Sequence, residues 1–210
     1  AQSIAVPWSG YGHDPQHSAV SPVAAQPMNR VLWETPVDLN PQYSGTSLLI
    51  HFGTPLVTRQ NTLIVPVKTG ASDGFKLEAR SGIDGSLKWT LTSDYSLPPH
   101  NWVPGFGLAL SPKNRLFYPG AGGTVFFRDE PDAANAPVNG TGQIAFYGMA
   151  HYLAGKASFD ANLKINTPIT SDRYGNLFFG FDIPTNVTLH VDPNDSGSPS
   201  LTSGLARIAE

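Results

Sequence analysis

The sequence predicts an all-β protein built from repeated four-stranded antiparallel sheets, and two observations carry that prediction. A block of short apolar segments separated by turn residues recurs about every 55 residues, beginning near Gly53, Leu108 and Thr167. Glycine and proline supply 21 and 19 of the 210 residues, whereas charged residues make up only 14%. That composition favours a protein with many turns over a helical one. Four short strands repeated at this period are typical of the blades of a β-propeller.

The repeat divides the chain into an N-terminal arm and a partial propeller. Residues 1–29 are rich in Pro, Gln, His and Ser without periodicity, which indicates an extended arm with turns. Alternation over 30–38 predicts the closing strand of a preceding blade. The rest of the partial propeller over 30–210 comprises two blades and an incomplete one, at 53–93, 107–148 and 165–210.

Turn residues between apolar segments place the strands within each unit. In the first blade we expect strands at 54–59, 62–68, 75–81 and 86–92. In the second we expect 107–111, 115–119, 124–129 and 142–147, and in the third 166–171, 176–182 and 204–209. Residues 129–141 are interpreted as a polar, solvated insertion. No window keeps a helical apolar period over three turns.

The third blade lacks the closing strand that the first two have, and two explanations compete. The propeller can be a larger one, of six to eight blades, with the remaining blades on another chain or segment. Alternatively, the 30–38 strand of a neighbouring copy completes the blade, which gives a homo-oligomer. Three blades are fewer than the four to eight typical of propellers, so the first explanation is favoured.

Charge and composition exclude several classes of partner. The net charge is −3 and there is no basic run, so no nucleic-acid partner is expected. No apolar stretch has the length of a membrane span. The absence of cysteine excludes disulfides and thiolate sites within this sequence. The start Ala1-Gln2-Ser3 resembles the pattern left by signal-peptide removal, which favours a secreted or periplasmic protein. Asn139 and Asn186 begin candidate N-glycosylation motifs.

One blade-closing pattern resembles a known family. Ala79, Gly85 and Trp89 stand at the spacing of the tryptophan-docking pattern of quinoprotein (PQQ-like) β-propellers, although Ser81 and Asp84 replace the usual Asp and Thr. The resemblance implies that Trp89, together with Trp33 at the equivalent place before it, packs between blades. Trp33, Ala79, Gly85 and Trp89 are therefore interpreted as structural residues.

That superfamily includes PQQ-dependent alcohol and sugar dehydrogenases, which hold quinone and calcium in the central funnel, and also scaffolds without catalysis. The adjacent cysteine pair of many of these dehydrogenases is missing here, and no calcium carboxylates of the family can be placed. The resemblance therefore implies the fold better than an activity. PQQ and calcium remain open as cofactors, without supporting residues in this sequence.

The connections between blades supply the candidate ligand-binding residues. Each of the three connections carries histidine and an aromatic residue, namely Tyr43 with His51, His100 with Trp102, and His151 with Tyr152. In propellers such loops gather at one face around the central channel. Aromatic and imidazole groups suit a flat ring or a sugar. The alternative is that these side chains only pack the loops onto the sheets.

Two polar clusters are candidate metal sites. Asp192, Asn194 and Ser196 occupy positions 1, 3 and 5 of a calcium-type loop, but Ser203 stands where the bidentate acid belongs. A solvated Asx turn is the alternative there. His13 and His17 flank Asp14-Pro15, which makes a turn; hydrogen bonds that hold the arm to the blades are favoured over a metal.

The leading prediction is therefore a ligand- or protein-binding scaffold that uses the loop face, with a small molecule or glycan as ligand. One alternative is a quinoprotein-type oxidoreductase whose catalytic residues lie mostly outside this chain. The other is a polysaccharide-active propeller. No catalytic residue is assigned, and enzymatic activity is left open.

Overall fold

Short antiparallel strands dominate the computed structural model, which describes residues 7–22, 29–49, 53–70, 74–97 and 106–209. The first element is a small hairpin of β1 (Gln42–Ser44) and β2 (Ser47–Leu49). Three larger antiparallel sheets follow along the chain, and only two short helices accompany them in the described residues. The predicted all-β class is confirmed.

The first sheet has the strand order of the sequence. It consists of β3 (Leu56–Val57), β4 (Thr62–Lys68), β5 (Phe75–Ser81) and β6 (Leu87–Ser93). Leu56, Ile64, Ala79 and Trp89 are cross-strand partners in one row, and all four are buried. Apolar residues that alternate along β4 and β5 give this sheet its buried face.

The second sheet repeats the same order. Its strands are β7 (Ala109–Leu110), β8 (Leu116–Pro119), β9 (Thr124–Arg128) and β10 (Thr141–Ala145). A short 3-10 turn at Ala121–Gly123 joins β8 to β9. The long connection between β9 and β10 is the insertion predicted to be solvated.

Two helices that the sequence did not predict connect the second sheet to the third. They are α1 (Met149–Ala154) and α2 (Lys156–Asn162). Each has fewer than two full turns, so neither produces an apolar period over three turns. Their packing depends on two buried rings, Tyr152 and Phe159, seven residues apart.

The third sheet is built around one central strand. Along the chain the elements are β11 (Lys164–Ile165), β12 (Thr170–Ser171), β13 (Leu177–Asp182), the hairpin β14 (Leu189–His190) with β15 (Ser200–Leu201), and β16 (Gly204–Ile208). β11 and β12 pair with successive parts of one edge of β13, and β16 pairs with the other edge. Within the described residues, no strand pairs with the outer edge of β16.

The segment 30–38 is not a regular strand, contrary to expectation. Its pairing is one isolated parallel bridge, Asp38 with Lys68, where Lys68 N donates to Val37 O at 2.7 Å. Pro36 cannot donate a backbone hydrogen bond, which disfavours a continuous ladder. Because β3 pairs only with residues 63–64, the end of β4 is free to take this short bridge.

Aromatic residues pack the three sheets into one core. Phe75 of β5 stacks on Phe106 with centroids 4.5 Å apart, and Tyr95 packs against both rings. The hydroxyl of Tyr95 donates to the carbonyl of Ile165 in β11 at 2.5 Å. Phe146, just after β10, contacts the rings of Phe179 and Phe181 in β13. None of the described helices has the length and apolar character needed to cross a membrane.

Candidate functional site

β3, β7 and β12 meet around the N-terminal arm. These three are called the first strands because each directly precedes the long strand β4, β8 or β13 with which it pairs, although β11 comes before β12 along the chain. Trp8 N donates to Val57 O in β3 at 2.8 Å, and Val57 N donates back to Trp8 O at 3.1 Å. The carbonyl of Ser9 accepts from Leu110 N in β7 at 2.7 Å. β12 in turn lies against β7. Backbone hydrogen bonds therefore hold the arm to two sheets, and such bonds cannot be predicted from a pattern of side chains.

Close backbone approach brings these first strands together. A Cβ atom built on Gly107 would lie 2.5 Å from Cα of Pro168, just before β12. A Cβ atom on Gly53, just before β3, would lie 1.9 Å from the carbonyl oxygen of Phe106. Both distances are below any tolerable contact, so only glycine allows this convergence.

A cavity of about 890 Å³ lies at this convergence. Its wall is largely apolar and combines the segments that lead into β3, β7 and β12 with parts of β4 and β13. The wall segments preceding the three first strands are 53–55, 107–108 and 166–168. Because every sheet contributes, the cavity is a property of the assembled fold and not of one repeat.

The arm supplies two polar side chains of the wall. His17 Nε2 lies 3.3 Å from Oγ1 of Thr170 in β12, so the imidazole is hydrogen-bonded to the third sheet. The ring of Tyr11 meets the His17 ring edge to face, with centroids 5.4 Å apart, and is half exposed. An imidazole and a phenol at an apolar cavity can orient a ligand through directed hydrogen bonds.

The turn that carries His17 is fixed by Asp14. Its carboxylate accepts hydrogen bonds from the backbone N–H and hydroxyl of Ser18 and from Gln16 N. The bonds to Ser18, followed by those to His13 and Gln16, outweigh desolvation and lower the pKa of Asp14 to about 2. The two histidines make different contacts, because His13 packs against Trp8 with centroids 4.8 Å apart whereas His17 Nε2 contacts Thr170. This agrees with the interpretation of the cluster as a structural turn.

Of the six predicted ligand-binding residues, His51, His100 and Trp102 lie outside the described residues. The other three, Tyr43, His151 and Tyr152, do not line the cavity. Tyr43 is exposed on β1. None of these three residues therefore belongs to this cavity.

Tyr152 and His151 belong to α1 instead of a loop. The Tyr152 ring is buried, and its hydroxyl donates to Oδ1 of Asp160 at 3.0 Å. Burial is the main cause of the raised pKa of Tyr152, and the nearby Asp160 carboxylate adds to it. His151 is half exposed, with Nδ1 3.9 Å from Oδ1 of Asp192. Tyr152 is thus a packing residue that joins the two helices.

In the predicted calcium loop, the carboxylates accept hydrogen bonds from the loop's own backbone. Asp192 Oδ1 accepts from Asn194 N at 2.9 Å, and Asp195 Oδ1 accepts from Gly197 N at 2.8 Å. These are consecutive Asx turns. No group of three His, Cys, Asp or Glu side chains suited to a metal occurs in the described part of the chain. The geometry at Asp192, Asn194 and Ser196 therefore gives calcium no support.

The four predicted structural residues form two pairs at the first sheet, one on its buried face and one at its β5–β6 turn. Ala79 and Trp89 are direct cross-strand partners on the buried face. Gly85 lies in the β5–β6 turn with φ of +73°, and its Cα is covered by the Trp33 ring. None of them lines the cavity, so their described contacts are structural.

The cavity offers a ligand largely apolar walls, one imidazole, one phenol, and the amide and hydroxyl groups of Asn166 and three threonines. Sequence reasoning missed Tyr11 and His17 as wall residues, although the arm was seen to be rich in Pro and His. Comparison of the chain with protein-family models, with curated proteins and with solved structures finds no match.

Proposed function

We propose that this chain forms part of a β-propeller that binds a small, partly apolar molecule in the cavity where its sheets converge. The observation that carries the proposal is the wall itself, because all three sheets and the arm contribute to one cavity of about 890 Å³. Ligand pockets of globular proteins have about this volume, roughly 300 to 1,000 Å³, and are mostly apolar with few polar groups.

The repeated arrangement of the sheets supports a propeller. In the first two sheets, four strands follow in sequence order, and the first strand of each lies against the arm. The third sheet likewise places its first strand, β12, beside β7. Sheets that repeat with their first strands towards a common centre are typical of propellers.

The outer edge of β16 supports a partner that completes the third sheet. β16 corresponds to β5 of the first sheet and β9 of the second, which pair with the fourth strands β6 and β10. In the third sheet, no described strand pairs with the outer edge of β16. We infer that the missing position is taken by remaining blades on another chain or segment, or by a second copy in a homo-oligomer. Native mass spectrometry of the protein from its source separates these, since only a homo-oligomer has a mass that is a whole multiple of this chain.

A neutral fluorescent probe tests the ligand cavity. N-phenyl-1-naphthylamine is apolar and uncharged, so its fluorescence should rise on binding at one site per chain. Thr54→Trp places a large ring in the cavity wall and should abolish this binding. The control Leu153→Trp adds the same ring on the exposed side of α1 and should leave it unchanged. If the probe does not bind, or if it binds both variants equally, the cavity is not the site.

The two enzymatic alternatives remain predictions of the sequence. Oxidation of an alcohol or sugar after addition of PQQ and calcium would support the quinoprotein alternative. Loss of glycan binding in Trp102→Ala would support the polysaccharide-active one. A secreted or periplasmic location is likewise a prediction.

A further inference from the structure

A second cavity, of about 500 Å³, lies at the other end of the first strands. Leu108, just before β7, lines the first cavity, whereas Ser111 and Pro112, just after β7, line the second. The second cavity is bordered by the turns that join the first and second strands of all three sheets. It is therefore a separate site with its own lining chemistry.

Two arginines from different sheets line this cavity. Arg59 belongs to the β3–β4 turn and Arg173 to the β12–β13 turn, and both are exposed. Neither guanidinium forms an ion pair with a carboxylate among the described residues. In a protein of net charge −3, two such arginines at one cavity are available to an anionic ligand.

An aromatic ring and several neutral polar groups accompany the arginines. Tyr174 lines the cavity, is 75% exposed, and has the Arg173 Cζ 5.9 Å from its ring centroid. Ser9, Ser111 and Asn114 add hydroxyl and amide groups to the wall. An exposed ring beside polar groups offers a sugar both stacking and hydrogen bonds.

One carboxylate, Asp172, also lines the cavity and limits which ligands fit. It accepts hydrogen bonds from Asn176 Nδ2 at 2.8 Å and from Tyr174 N at 2.8 Å. The hydrogen bond from Asn176 is the main cause of its lowered pKa, so Asp172 is ionised near neutral pH. A carboxylate repels a bare anion but accepts hydrogen bonds from hydroxyl groups.

We propose that this cavity binds an acidic saccharide, with its carboxylate groups paired to Arg59 and Arg173 and a sugar ring on Tyr174. The two arginines select negative charge, Asp172 and the neutral polar groups take sugar hydroxyls, and the exposed ring takes a pyranose face. The site shares no lining residue with the first cavity, so this proposal does not depend on the proposed binding of an apolar ligand there.

Isothermal titration calorimetry with trigalacturonate at low ionic strength tests the proposal. We expect binding that weakens as salt is added, because the charges are exposed to solvent. Arg59→Gln and Arg173→Gln should each weaken it about tenfold. Arg30→Gln, which removes an equal charge from an exposed arginine outside the cavity, should leave it unchanged. Tyr174→Ala should weaken it about five- to tenfold through lost stacking.

Two comparison ligands define the chemistry. Maltotriose has the sugar rings without the carboxylates, and citrate has carboxylates without the rings; both should bind at least tenfold more weakly than trigalacturonate. The proposal is overturned if trigalacturonate does not bind at about 10 mM, if maltotriose or citrate binds as well, or if the arginine variants match Arg30→Gln. Binding of N-phenyl-1-naphthylamine should be normal in every arginine variant, which separates this site from the first cavity.

Discussion

The indole of Trp89 donates its Nε1 hydrogen to the backbone carbonyl of Pro131, at 2.8 Å. Trp89 closes the first sheet, whereas Pro131 lies in the connection between β9 and β10 of the second. The guanidinium of Arg128 covers the same ring, with Cζ 4.4 Å from the centroid. With 7% of its surface exposed, Trp89 is a buried link between two sheets.

Replacing Trp89 by phenylalanine should weaken this link. Trp89→Phe leaves the Pro131 carbonyl without its donor and gives Arg128 a poorer cation–π partner, so we expect a loss of about 1 to 2 kcal/mol in the free energy of unfolding. Urea denaturation followed by far-UV circular dichroism measures it. Trp33→Phe is the matched control, because its Nε1 lies 3.5 Å from Gly82 O and contributes less. Equal losses in both variants would contradict the role of the Pro131 bond.

The turn at Gly85 should not tolerate a side chain. Its φ of +73° disfavours any other residue, and a Cβ there would lie 2.7 Å from Cδ2 of Trp33. We therefore expect Gly85→Ala to lower the free energy of unfolding by about 2 to 3 kcal/mol. The same change should cost about 1 kcal/mol less in a Trp33→Ala background, where the clash is gone but the backbone strain remains. Thermal unfolding of the parent, the two single variants and the double variant completes this double-mutant cycle. If the losses in unfolding free energy of the two single variants simply add in the double variant, contact between the two residues is excluded.

Regular strands were predictable because their signals are local. The predicted bounds 62–68 and 75–81 are those of β4 and β5, where apolar residues alternate between turn residues. The two helices were not predicted because each has fewer than the three turns over which a helical pattern of apolar residues can be recognised. The segment 30–38 alternates like a strand, yet Pro36 cannot donate to a ladder, and only one bridge to the end of β4 forms.

The candidate site was much less predictable than the strands. The arm that carries Tyr11 and His17 is anchored by the pairing of Trp8 with Val57, and no local pattern of residues specifies contact across that separation. Likewise, Arg59 and Arg173 come from turns of different sheets and line one cavity only in the folded protein. Local sequence patterns therefore identified the repeats, whereas the cavities follow from how the repeats are assembled.

The insertion at 129–141, interpreted from the sequence as solvated, contains a second link between sheets. Asp132 accepts a hydrogen bond from Oγ1 of Thr58, which is fully buried at the end of β3, and another from Asn114 Nδ2 at 3.0 Å. Asp132→Ala should cost about 1 to 3 kcal/mol, because both donors lose their acceptor. Urea denaturation measures the loss. Asp195→Ala, which removes only a local turn contact, should change stability by about 0.5 kcal/mol or less. A similar small change in Asp132→Ala would contradict the link.

Acid sensitivity of the first sheet should depend on Glu78. Glu78 as a residue is 7% exposed, and its carboxylate lies between Lys76 Nζ, at 2.7 Å, and Arg80 Nε, at 2.9 Å. Burial acts to raise the pKa of Glu78, but the hydrogen bonds and positive charges of Lys76 and Arg80 outweigh it, and the net pKa is lowered from 4.5. Because the folded pKa is the lower one, the carboxylate stabilises the fold above about pH 4.5, and this contribution is lost as pH falls through the folded pKa.

Glu78→Gln should therefore be less stable than the parent protein at pH 7, by about 1 kcal/mol, and the difference should shrink as the pH falls below about 4.5. Urea denaturation from pH 7 to pH 3 measures both curves. Glu34→Gln removes an exposed carboxylate and should follow the parent curve throughout. A stability difference for Glu78→Gln that stays constant across this range would show that its cause is packing and not ionisation. If Glu78→Gln were instead more stable than the parent at pH 7, and if this gain were lost as the pH falls, burial of Glu78 would outweigh its two cationic partners.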